Sequence, residues 1–251
     1  MSIDPLVGGT GVLSIAQRFC GPKNSGNGGY VAGLLGKVIN GPAEVRLRSM
    51  PPLERSLTIE SDGQEAVLRD GETVVATART TSLDVAVPDL PPLDALDQAQ
   101  AAFAAMPLIL PYCFVCGRKR EPGDGLRIFS GPIEGTSVNA DLWVPDESLT
   151  DEDGLVATEF LWAALDCPSA YGLRLADGFV LLGSLSVEIR RRPRPGEQLM
   201  AMGWAGEADG RKYCAHSALV TLNDEAIAVS KSVWINLNDE ALISALKEQN
   251  Q

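Results

Sequence analysis

"AVLRDGETVVATARTTSLDV" (Ala66–Val85) and "ALVTLNDEAIAVSKSVWINL" (Ala218–Leu237) follow one plan. Each is a strand, a tight polar turn and a longer strand. "RDGE" and "LNDE" supply the turn residues of a hairpin. Working outward, "VRLRSMPPLERSL" (Val45–Leu57) matches "VEIRRRPRPGEQL" (Val187–Leu199). In both, alternating apolar positions lead into a proline-rich bend and another strand. Further upstream stand two helical segments, "GGYVAGLLGKVI" (Gly28–Ile39) and "TEFLWAALDCPSAY" (Thr158–Tyr171). Apolar residues recur there at helical spacing: Val31, Leu34, Leu35 and Val38, then Leu161, Ala164 and Leu165. Both segments are apolar nearly all round, as expected of helices buried on most sides. A strand precedes each, "GVLSIAQRF" in one half and "GTSVNADLWV" in the other.

Each half is therefore strand, helix, then about four strands of an antiparallel meander. The class is α+β, with an N-terminal repeat over 1–86 and a C-terminal repeat over 112–251. Residues 87–111 read as a linker, marked by proline and acid at its start and holding one short helix over 94–105.

The 251 residues allow one large domain or two small ones with ample core. A net charge of −12 argues against nucleic acid, which needs a basic face. Two local basic clusters, "GRKR" (Gly117–Arg120) and "RRRPR" (Arg190–Arg194), fit either solvated charge or contact with a small phosphorylated ligand. No apolar run approaches a membrane span, and "MSIDPLVGGTG" lacks a basic n-region followed by an apolar core. The expected location is the cytoplasm, with no membrane partner.

Five cysteines, an odd count, point to reduced thiols. "CFVC" (Cys113–Cys116) has the spacing of a redox or zinc half-site. No second Cys-x-x-Cys or Cys/His pair completes four ligands along the sequence, so the structural reading is preferred and no metal is expected. The single histidine, His216, lies in the strand-like "RKYCAHSALVTL" and reads as a half-buried strand residue. A Ser-His-Asp triad would have to use it, and no Gly-x-Ser-x-Gly elbow is present.

A helix wrapped by a curved antiparallel sheet is the hotdog architecture, and two tandem copies would make a double hotdog. Here the sequence resembles a known family. "NSGNGGYVAGLLG" is similar to the His-Gly-Gly helix start of the phenylacetate-pathway type of hotdog thioesterase, with Asn27 where that histidine usually stands. "CFVCGRKREPGDGLRI" resembles the Cys-Phe-x-Cys-Gly…Gly-Leu stretch of the same group, and "FLWAALDCPSA" resembles a helix of tandem thioesterase-like proteins.

The resemblance implies a site between two helices. Backbone N–H groups at a Gly-Gly helix start would hold the thioester oxygen as it becomes an oxyanion. A carboxylate seven residues past the partner helix's second glycine would activate water or attack directly. Overlaying the helices, seven residues past Gly29 comes Gly36, with no acid. In the second half Glu159 takes the glycine position and Asp166 follows seven residues on. One half keeps the Gly-Gly start, the other keeps the acid, and pairing them gives one complete site and one empty one. A structural acid near a helix end is the competing reading of Asp166, since Pro168 predicts a kink or stop there.

What the resemblance implies is an acyl-CoA thioesterase that takes no cofactor beyond the coenzyme A of its substrate. Asp166 would act as base or nucleophile, the N–H groups of Gly29 and Tyr30 as oxyanion donors, and Asn27 as a carbonyl-positioning group. Asn24, Ser25, Gly28, Trp162 and Ser169 are the candidate substrate-contacting residues. An arginine from 118–120 or 190–194 would meet the coenzyme A phosphates. The chain would form a pseudo-dimer within itself, with further pairing into a homo-oligomer left open. The rival reading, a module that binds an acyl thioester or small apolar ligand without hydrolysis, rests on Asn27 replacing histidine. A hotdog hydratase fits less well, because His216 has no acidic partner nearby in sequence.

Overall fold

The computed structural model describes residues 9–175 and 179–237, and residues 240, 243, 244 and 248 beyond them. The outer ends of both expected repeats, and most of the stretch read for a leader, lie outside the described residues. The first half runs β1 (Gly9–Leu13), α1 (Gly28–Gly36), β2 (Ala43–Leu47), β3 (Leu57–Ser61), β4 (Glu65–Asp70) and β5 (Thr73–Thr80). α2 (Leu96–Ala105) follows. The second half runs β6 (Gly131–Pro132), β7 (Val138–Trp143), α3 (Thr158–Gly172), β8 (Val180–Ile189), β9 (Leu199–Asp209), β10 (Lys212–Thr221) and β11 (Ala226–Asn236).

All eleven strands form one antiparallel sheet in the order β1-β3-β4-β5-β2-β8-β11-β10-β9-β7-β6. Counted inward from either side, β1-β3-β4-β5-β2 and β7-β9-β10-β11-β8 follow the same sequence of elements. The halves join where β2 meets β8, with Glu44 opposite Ser186 and Val45 opposite Leu185. The tight turns fall where the turn residues placed them. Gly71 (φ +56°) closes β4–β5, and Asp224 (φ 64°) occupies the left-handed position before β11.

α1 and α3 pack against each other and against one face of the sheet, α1 on β2, β5, β8 and β4, and α3 on β7 through β11. Their burial explains the all-round apolar pattern: eight of the nine α1 residues are buried. α1 is shorter than the expected 28–39. After Gly36 the chain tightens, with the Val38 and Ile39 amides donating to the Leu35 and Gly36 carbonyls three residues back. The first-half strand also ends early, at Leu13, before a 3-10 turn at Gln17–Phe19.

α3 does not stop at Pro168. The helix continues to Gly172, and two hydroxyls bond carbonyls of this turn: Ser217 donates to Leu165 O (2.6 Å) and Ser169 to Asp166 O (2.7 Å). The sheet also lies very close beneath. A Cβ on Gly203 of β9 would sit 1.8 Å from the Pro168 carbonyl oxygen.

The 87–111 segment is not only a connection. α2 lays Leu96 and Ala99 over the outer face of β7, β9, β10 and β11, making a second apolar cluster with Val138, Met200, Met202 and Trp204. Along β9, Leu199 and Ala201 face the main core while Met200 and Met202 face α2. That two-sided burial is why "LMAMGW" reads as continuously apolar.

Candidate functional site

The N-terminus of α1 abuts the middle of α3. Asn27 caps α1, its side-chain oxygen accepting the Tyr30 amide (2.9 Å). Its side-chain nitrogen donates to Asp166 Oδ2 (2.8 Å), and the Gly29 amide donates to the same oxygen (2.9 Å). The contact is tight because Gly29 lacks a side chain: a Cβ there would lie 2.5 Å from Asp166 Cβ and 2.8 Å from the Trp162 carbonyl oxygen. Asp166 is 3% exposed, and its second oxygen, Oδ1, is buried without a hydrogen-bond partner among the described residues.

Burial dominates the electrostatics. It raises the Asp166 carboxyl from its ordinary 3.8 to about 7, against the lowering effect of the Gly29 amide. The adjacent Cys113 adds to the rise, and the Asn27 amide opposes it. The positive end of α1 and its cap thus hold one oxygen of a carboxyl that gains a proton near neutral pH.

The other expected site residues are placed as follows. Tyr30 is buried, and its ring stacks on Phe19 (4.1 Å between centroids) beside Phe114 and Phe160. The Gly29 and Tyr30 amides, expected as oxyanion donors, are both engaged, one by Asp166 and one by Asn27. Asn27 meets the carboxylate itself. Gly28 is half-buried beneath the side-chain tips of Leu182 and Leu47. Ser25 is buried and donates to the Pro51 carbonyl (3.2 Å), so it ties the loop down, while Asn24 is exposed. Ser169 faces the sheet, accepting from Ser232 (3.0 Å) and Trp234 Nε1 (2.9 Å), and does not meet the Asp166 carboxylate.

Trp162 points to the opposite end of the helix contact. A Cβ at Gly36 would lie 2.4 Å from its ring. Nearby, Glu159 pairs with Lys37 (3.5 Å). A cavity of about 630 Å³ opens at that end, lined by Gly36, Lys37, Thr158, Trp162, Val187 and Arg192 among others. This cavity lies at the second crossing, which is empty of chemistry in the sequence reading.

The basic clusters are largely committed within the chain. Arg120 is buried and bonds the Tyr112 and Arg18 carbonyls and Asp124. Arg191 bridges Glu197 and Glu225, and Arg192 bridges Asp151 and Asp153. His216 sits on β10, stacked on Trp204, as a strand histidine. Linear reading missed that Cys167 meets Cys113 (3.7 Å between sulfurs) next to Asp166. The only sequence sign was Cys167 following Asp166.

Two helices back to back on one broad antiparallel sheet, with a carboxylate of one at the amide end of the other, define a hotdog-type frame with a polar crossing. Solved structures agree on the frame. An acyl-CoA thioesterase II, TesB2, from Mycobacterium marinum is 16% identical, with 92% of this chain and 94% of that one covered at a TM-score of 0.59. A tesB protein from Mycobacterium avium subsp. paratuberculosis is 13% identical over 91% and 93%, also at 0.59. A protein of unknown function with a hotdog fold from Alicyclobacillus acidocaldarius is 12% identical over 95% and 96%, at 0.59. At such identities the likeness establishes the hotdog fold. No family model and no curated protein matches the sequence. Among the described residues no helix is long and apolar enough to cross a membrane.

Proposed function

We propose that the chain is a double hotdog, two tandem repeats acting as a pseudo-dimer, and that it hydrolyses acyl-CoA or a related thioester at the Gly28–Gly29/Asp166 crossing. The thioesterase name of the Mycobacterium marinum neighbour supports the reaction class. The observation that carries the reading is Asp166: a buried carboxyl bonded through Oδ2 to a helix N-terminus, with Oδ1 unpartnered. Oδ1 takes a proton from water as the water oxygen adds to the thioester carbonyl carbon. Protonation weakens the hold of Oδ2 on the Gly29 amide, which is then released toward the developing oxyanion. Collapse breaks the C–S bond, and the proton on Asp166 goes to the leaving thiolate. Substrate approaches past Gly28, where the Leu182 and Leu47 tips give way.

The test is hydrolysis of a panel of acyl-CoAs followed by release of free thiol. Asp166→Asn lowers the rate by about 10²–10⁴-fold. A folded variant that hydrolyses an active substrate as fast as the wild type rejects the mechanism.

The second reading is a binding protein without hydrolysis. It is favoured by the engaged Gly29 and Tyr30 amides, the sealed carboxylate and the open cavity at the other crossing. Saturable acyl-CoA binding without thiol release, weakened by changes at Trp162 and not at Asp166, identifies it.

A further inference from the structure

Beside Asp166 lies a group of side chains that the proposed reaction leaves unused. Cys113 and Cys116 come from the turn after α2, and Cys167 comes from α3. All three are buried, and their sulfurs lie within 4.8 Å of one another, Cys113 and Cys167 at 3.7 Å. Three thiolates bound to one tetrahedral zinc at about 2.3 Å stand about 3.8 Å apart. The Tyr171 hydroxyl lies 3.6 Å from the Cys116 sulfur. A zinc–oxygen bond of about 2.0 Å at the fourth corner puts oxygen and sulfur about 3.5 Å apart.

We propose that Cys113, Cys116 and Cys167 bind one zinc ion, with the Tyr171 hydroxyl at the fourth corner.

The surroundings fit a bound cation better than three packed thiols. The turn is fixed for the purpose: the Gly117 amide donates to the Cys113 carbonyl (2.9 Å), and a Cβ at Gly117 would lie 2.5 Å from that oxygen. The Asn27 side-chain nitrogen lies 3.9 Å from the Cys113 sulfur. Neutral thiols accept hydrogen bonds weakly, so this donor suits a metal-bound thiolate better than a thiol. A buried thiolate without a countercharge is costly. Zinc supplies that charge. Binding replaces the sulfur–hydrogen bonds with zinc–sulfur bonds and releases the protons to solvent. Because the sulfurs are buried, the metal enters as the chain folds. The inference does not depend on thioester hydrolysis.

The experiment is metal analysis and native mass spectrometry of the full chain, expressed with zinc and purified without chelator. One zinc per chain is expected. Cys113→Ser, Cys116→Ser and Cys167→Ser each lose it, and Cys214→Ser, at a half-buried cysteine outside the cluster, keeps it. Refolding the wild type from denaturant with cobalt(II) gives thiolate-to-cobalt charge transfer and the strong visible bands of a tetrahedral site, which keeps the test decisive if a serine variant fails to fold. Tyr171→Phe retains metal and shifts those bands; unshifted bands remove Tyr171 from the fourth corner. Absence of stoichiometric zinc with no thiolate–cobalt band overturns the site. So does an anaerobically handled chain whose mass lacks two hydrogens, with a Cys113–Cys116 disulfide mapped by peptide analysis.

Discussion

At one end of the α1–α3 contact a glycine amide meets a carboxylate; at the other, a glycine meets an indole. Gly29 and Gly36 serve the same steric need, since a Cβ at either position would collide with α3. The contents differ. The Gly29 end is sealed and holds a carboxyl with one oxygen unpartnered. At the Gly36 end Trp162 fills the contact, and the charge of Glu159 is matched by Lys37 near an open cavity. The comparison teaches that the glycines are set by packing, whereas the buried carboxyl at the Gly29 end has no packing reason. Function is to be sought where the two crossings differ.

The largest expected effect of that difference is on the pH dependence of stability. Asp166 has an ordinary pKa of 3.8 and a folded value near 7. Below about pH 4 it is protonated in both states and contributes nothing. Above that the unfolded chain ionises first, so the folded state loses stability as pH rises, by about 4 kcal/mol once pH passes about 7. Urea denaturation of wild type and Asp166→Asn across this range isolates the effect: the wild type weakens relative to the variant as pH rises. A constant difference between the two proteins means the Gly29 crossing carries no buried electrostatic imbalance.

A smaller effect separates the two glycines. Gly29→Ala presses a methyl against Asp166 Cβ, the Trp162 carbonyl and Ala163 Cα, so α1 and α3 must part. Gly36→Ala presses on the Trp162 ring, a side chain that borders the cavity, and not on the α3 backbone among its nearest contacts. Overpacking costs of about 1–3 kcal/mol apply, with Gly29→Ala at the upper end and Gly36→Ala at the lower. Equal losses in thermal or urea denaturation would show that the crossings are mechanically equivalent.

The sequence carried the frame because the frame is periodic. Alternating strands, repeated polar turns and two all-apolar helices are local patterns, and they predicted the element order in each half. The juxtaposition of Asp166 and Gly29 was also legible, because pairing the halves brings those positions together. What was not legible depends on three-dimensional convergence. The Cys113–Cys116 pair looked incomplete because its third sulfur comes from Cys167, far along the chain on α3. Ser169 and Trp162 were placed by helical spacing from Asp166, yet one bonds the sheet and the other turns toward Gly36. Of the kink or stop expected at Pro168, the stop does not occur: α3 runs through it to Gly172, with Ser217 and Ser169 hydroxyls on carbonyls of the same turn.

The smallest expected effect concerns the charge at the Gly36 end. Lys37 and Glu159 are 3.5 Å apart with side chains 22% and 13% exposed, close enough to attract and wet enough to be screened. Removing the cation with Lys37→Met therefore costs less than about 1 kcal/mol, and raised salt shrinks the difference from wild type. The reason lies in the surroundings. Glu159 stands in the first turn of α3, where the positive end of the helix continues to favour its charge after Lys37 is gone. Asp166 has the start of α1 in the same role, but it is sealed from water and makes no ion pair among the described residues. A loss of several kcal/mol for Lys37→Met, unaffected by salt, would mean that Glu159 is as dependent on its partner as a fully buried acid. The two ends of the helix contact would then differ in geometry alone.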